Sequence, residues 1–164
     1  MNIKKIRTIC IVLATIGINH SCITSKYKSL DKMVARVQLK EPVEGVCKNS
    51  NIIAILPLPN NGQVEAKAPK TDSEIAQELN EKVSFLKDKP TYEDKGMVSL
   101  IINCKGELVK YEMDNKTKNV ELDKQILAVF SELKNWTPGK VKNNSVDTIV
   151  LINFTIKNGE IILN

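Results

Sequence analysis

Gly96-Met97-Val98-Ser99-Leu100-Ile101-Ile102, then Lys105-Gly106, then Leu108 to Met113, is the stretch on which the fold turns. Val98, Leu100 and Ile102 alternate before the Lys-Gly pair and the alternation resumes after it, which predicts two strands joined by a turn. From Leu122 the period lengthens. Leu122, Ile126, Val129, Phe130 and Leu133 recur at helical spacing, and Asp123, Lys124, Gln125, Glu132 and Lys134 fall on the opposite face. Asn135-Trp136-Thr137-Pro138-Gly139 ends that helix, because proline cannot continue it and glycine turns the chain. Val146, Val150, Ile152, Phe154 and Ile156 then form a third strand, and the module reads ββαβ.

Upstream, Thr71-Asp72-Ser73-Glu74 has the spacing of a capping box, and Ile75, Leu79, Val83 and Leu86 continue from it as the apolar stripe of a second helix. Ile52 to Leu56 reads as a buried strand, closed by Pro57-Leu58-Pro59-Asn60-Asn61-Gly62. Gln63 to Lys70 reads as exposed extended chain. The expected fold is α+β: an antiparallel three-stranded sheet with two helices, plus a possible added N-terminal strand.

Four elements in this order and spacing resemble the TonB C-terminal domain across roughly residues 74–163. They are Gly96-x-Val98 before a hairpin, Leu122-Asp123 opening a helix, Trp136-Thr137-Pro138-Gly139 closing it, and Ile152-Asn153-Phe154-Thr155-Ile156 as the last strand. The hairpin is tighter than is usual in that family, and Lys89-Pro90-Thr91-Tyr92 stands where a Tyr-Pro element is expected. The resemblance implies a periplasmic domain that grips an extended peptide of an outer-membrane receptor and transmits force from a proton-driven inner-membrane complex. Such capture needs an exposed sheet edge, and the final strand offers one at Ile149, Leu151 and Asn153. The other reading has that edge covered within the chain by the Ile52 strand. Proline at Ile149 or Leu151 is expected to separate an outward-facing amide from one that belongs to the sheet.

The N-terminus sets the compartment. Lys4, Lys5 and Arg7 precede an apolar run of about ten residues, Ile9 to Ile18, against the roughly 20 a spanning helix needs. Ser21-Cys22 follows, a small residue before a cysteine, as at the cleavage and lipidation site of bacterial lipoproteins. The reading is a signal peptide over residues 1–21, lipidation at Cys22 and a tether over 22–43. An N-terminal strand and extended segment then occupy 44–70, with the TonB-like domain over 71–164. Plain cleavage and an uncleaved anchor are the alternatives. Losing the leader lowers the formal charge from +5 to +2, which removes any basic-protein argument.

The same cut removes His20, the only histidine, and with it imidazole bases, Ser-His or Cys-His pairs and histidine metal ligands. Among Glu41, Glu44, Glu65, Glu74, Glu78 and Glu81, the last three lie at helical spacing beside lysines and read as a solvated face. No catalytic residue, metal or cofactor is expected. Aromatics make up only 4% of the chain, and Trp136 and Phe154 sit in apolar patterns, which argues against the stacking platforms of nucleic-acid binders. With Cys10 in the leader and Cys22 lipidated, Cys47 and Cys104 can pair only with each other; a disulfide and two separate buried thiols both remain open.

These readings converge on a non-catalytic lipoprotein in the cell envelope, facing the periplasm and held to the membrane through its N-terminal lipid. Its partners would be envelope proteins, including outer-membrane receptor peptides. The alternative is a TonB-type energy transducer with an uncleaved N-terminus, against which a tether from Cys22 to Lys40 would reach only roughly 60 Å at 3.1 Å per residue. An envelope enzyme is a third class.

Overall fold

The structure is a computed structural model that describes residues 34–48, 52–56 and 62–164; the leader, His20 and Cys22 lie outside the described residues. Its centre is β4 (Asp94–Ile102), paired along its whole length with β8 (Thr148–Lys157) on one side and with β5 (Leu108–Asn115) on the other, both antiparallel. Side chains alternate across this sheet, so Val98, Leu100 and Ile102 enter the core together with Val150, Phe154 and Ile156. Gly96 lies opposite Phe154, whose ring occupies the space that a Cβ at Gly96 would need.

Two helices cover that face. In α1 (Asp72–Lys82), Thr71 accepts the Glu74 amide and Glu74 accepts the Thr71 amide, the reciprocal bonds its spacing predicts. Ile75 and Leu79 point inward, and Val83 and Leu86 extend the buried stripe through a 3₁₀ turn, Ser84–Leu86. In α2 (Val120–Ser131), Asn119 caps the first turn and Leu122, Ile126, Val129 and Phe130 are buried. Asp123, expected on the solvent face, is buried as well, because it receives both the amide and the hydroxyl of Thr117 and so fastens the loop before the helix.

The three-stranded antiparallel sheet expected from sequence is corrected by the structure, which among the described residues holds a six-stranded mixed sheet and a second sheet of three strands. Three strands enlarge the main sheet. β1 (Ala35–Val37), in the segment read as tether, pairs antiparallel with β2 (Ile52–Ala54), and β2 lies parallel to β8, which makes the sheet mixed. β9 (Glu160–Leu163) folds back on β8 through Asn158-Gly159, both at positive φ (52° and 76°), as a two-residue hairpin turn of this handedness requires. The second sheet joins β3 (Gln63–Val64), β6 (Lys140–Val141) and β7 (Asn144–Ser145). No described helix is long and apolar enough to cross a membrane.

Candidate functional site

The outer edge of β8 is shared between two short strands. Since β4 occupies the inner edge throughout, β2 and β9 must both lie on the outer one: β2 opposite Thr148 and Ile149, β9 opposite Phe154 to Lys157. Between them, among the described residues, Val150 to Ile152 has no strand beside it. The orientation of its backbone follows from two hydrogen bonds. The Asp147 carbonyl accepts the Ile53 amide at 2.9 Å and the Asn153 carbonyl accepts the Asn164 amide at 3.0 Å, both on the outer side. Backbone groups of alternate residues in a strand share one side, so Leu151 turns its N–H and C=O outward while Val150 and Ile152 bond to β4.

The residues expected at the peptide edge therefore have different fates. Ile149 faces β2 and the Asn153 carbonyl is taken by Asn164, which leaves Leu151 at the gap with its side chain half-exposed. Ile149 and Leu151, two residues apart, face the same side. The expected contrast between them does not exist; the inward donor belongs to Val150 or Ile152.

A groove of about 510 Å³ opens onto this gap, within the usual range for ligand sites. One wall is Val150, Leu151 and Ile152. The other is the extended segment Glu65–Ala68, where Lys67 exchanges two 2.9 Å backbone bonds with Thr137. That bridge turns the backbone groups of Ala66 and Ala68 away from Thr137. Ile75, Trp136 and Leu163 give it an apolar floor, and the buried Trp136 is fixed by its indole N–H, which donates to the Leu133 carbonyl at 3.1 Å. Lys70 at the rim is paired with Glu78, which also holds Lys82. Hydrogen bonds from Lys70 and then Lys82 keep the Glu78 carboxyl below its ordinary range, as expected of a solvated charge network and not of a proton-transfer group. Glu74 is likewise held low, first by the Thr71 amide and then by the Thr71 hydroxyl.

The two end strands of the main sheet are guarded. β5 is bulged at both ends and carries Lys110 and Glu112, and β1 has only three residues, all devices that discourage strand addition.

A second cluster lies where β2, the β4–β5 turn and the start of β8 meet. Cys47 and Cys104 form a disulfide there, with Cα atoms 6.1 Å apart, which decides between the two readings of these residues. Beneath it sits Asp147, buried, whose Oδ1 accepts the amides of Cys47 (3.0 Å) and Cys104 (2.9 Å) and whose Oδ2 accepts that of Lys48 (2.7 Å). Asn103 braces the same turn, donating to the Gly45 carbonyl and accepting the amides of Lys105 and Glu107. Neither Asp147 nor the Glu65–Ala68 wall was singled out from sequence. A lone acid at the head of an alternating apolar strand was the available signal for Asp147; the wall was expected as exposed extended chain, and its burial at Ala66 follows from the bridge to Thr137, which no local pattern announces.

Comparison with protein-family models, with curated proteins and with solved structures finds no match to this chain.

Proposed function

We propose that this chain is a non-catalytic protein-binding module of the cell envelope that takes a short extended segment of a partner protein into the groove beside Leu151. The observation that carries this reading is the gap in the outer edge of β8, where an unpaired backbone donor and acceptor face a groove with a second extended backbone as its far wall. Buried or half-buried backbone groups need partners, and an incoming strand supplies them at strand spacing. The pleat then dictates the ligand. One side chain points to the apolar floor of Ile75, Trp136 and Leu163, and its neighbours point to solvent beside Leu151.

The Cys47–Cys104 bridge suits an oxidising compartment, in keeping with a signal peptide and a lipid on Cys22. The motif order of Gly96, Leu122-Asp123, Trp136-Thr137-Pro138-Gly139 and the Ile152–Ile156 strand supports an outer-membrane receptor peptide as the partner; this rests on the motifs and not on the sheet. The test is a displayed library of seven-residue peptides selected on the wild-type protein alone, each recovered peptide then being assayed on wild type and on Leu151→Pro, with circular dichroism to show that the variant is folded. Recovered sequences should carry an apolar residue flanked by polar ones and should lose binding to Leu151→Pro. Ligands that bind both proteins alike, or no ligands at all, would overturn the proposal.

A further inference from the structure

The two cysteines and Asp147 form more than a staple. Their sulfurs and a carboxylate oxygen lie within 4.8 Å of one another, and a groove of about 490 Å³, lined in part by Cys47, Cys104 and Asp147, gives solvent access to them. In most disulfides, reduction frees the two chain segments. Here the amides of both cysteines are bonded to one oxygen of a buried carboxylate, bonds that do not run through the sulfurs and would hold the thiols together once the S–S bond is broken. Four lone-pair positions are available on a carboxylate, and the three amides use three, which leaves one on Oδ2.

We infer that the reduced protein holds a divalent, thiophilic metal ion, zinc above all, between Cys47, Cys104 and Asp147. Two thiolates and one carboxylate form a donor set that suits zinc and does not suit calcium or magnesium. With Zn–S near 2.3 Å and Zn–O near 2.0–2.2 Å, tetrahedral donors stand about 3.3–3.8 Å apart, so the two sulfurs must move apart from bonding distance once the bridge is reduced, while the whole donor set already lies within 4.8 Å. The groove leaves room for water as the fourth ligand. Disulfide and metal exclude each other, so the redox state of the compartment selects which cross-link ties residues 47 and 104 together.

A phosphine reductant donates an electron pair to the S–S bond; water supplies the oxygen of the phosphine oxide and the two protons of the Cys47 and Cys104 thiols. Binding of the divalent ion then releases those two protons to the buffer, leaving two metal–sulfur bonds and one metal–oxygen bond.

The experiment is a Co²⁺ titration of the full mature chain, reduced with the phosphine and freed from it without oxygen, with circular dichroism recorded alongside. The expected result is one Co²⁺ per chain, with sulfur-to-cobalt charge-transfer bands, tetrahedral visible bands, release of two protons, and displacement by Zn²⁺. The oxidised protein should show none of these. Cys47→Ser should abolish the charge-transfer intensity of the second sulfur. Asp147→Asn, which keeps an oxygen for the cysteine amides, should weaken binding at least about tenfold. Absence of the bands from reduced protein overturns the inference, whether that protein is folded or is unfolded and not refolded by metal. So does equal affinity in wild type and both variants.

Discussion

Replacing both cysteines by serine tests whether the segment carrying β1 and β2 is a full part of the folded unit. The bridge spans 57 residues, and in the chain-entropy model a loop of that length restrains the unfolded chain by about 4 kcal/mol. Nothing in the folded state need be lost with it, since the three amide bonds to Asp147 remain and Ile52 and Ile53 stay buried against β8. The double variant should therefore unfold in one step, about 4 kcal/mol less stable in urea and roughly 12–20 °C lower in Tm. Amide exchange of Ile52 to Ala54 should track that of β4. If instead these amides exchange freely while the β4–β8 ladder keeps its wild-type protection, or if the midpoint shifts by less than about 1 kcal/mol, β2 is held only by the disulfide and the reasoning fails.

Other consequences follow from single side chains. Trp136→Ala removes a buried aromatic and the floor of the groove, and should cost about 3–5 kcal/mol by thermal or urea unfolding. Gly159→Ala places a Cβ at φ 76° against the Lys89 carbonyl and should cost more than about 1 kcal/mol, read in the same assays. Asp94 supplies a pH dependence. Burial pushes its carboxyl up, but the Lys118 and Lys95 amides and the Tyr92 hydroxyl donate to it and together hold it below the ordinary value of 3.8. Its contribution is thus fully present above that value and is lost as pH falls through the lower, folded-state one, so Asp94→Asn should flatten the acid limb of a stability–pH curve.

What the sequence disclosed was whatever local pattern decides. The alternation of Val98, Leu100 and Ile102, the α2 stripe and the Thr71 box each depend on residues within a turn or two of one another, and all appear where the pattern puts them. Sheet membership was not legible in the same way. Ala35–Val37 is a three-residue strand in a polar stretch, and nothing local says that Ile52–Ala54 will run parallel to β8 instead of antiparallel. β9 had a local signal, Asn158-Gly159 between alternating residues, beyond the final strand that the pattern ends at Ile156. Asp123 misled because helical periodicity assigns faces by spacing alone, while a hydrogen-bonded carboxylate can be buried on the apolar side. At the candidate site, Leu151 could be named as an edge residue from the strand. That it stands unpaired between two covering strands, beside a groove that Glu65–Ala68 also lines, is a consequence of tertiary pairing.

Amide hydrogen exchange at Leu151 reports whether its backbone faces an open gap. In the free protein the Val150 and Ile152 amides should be protected by β4 while the Leu151 amide between them exchanges rapidly. A peptide selected on the groove should then protect Leu151. If the Leu151 amide is as slow as its neighbours without ligand, or stays fast under a saturating groove peptide, the edge is not the binding site.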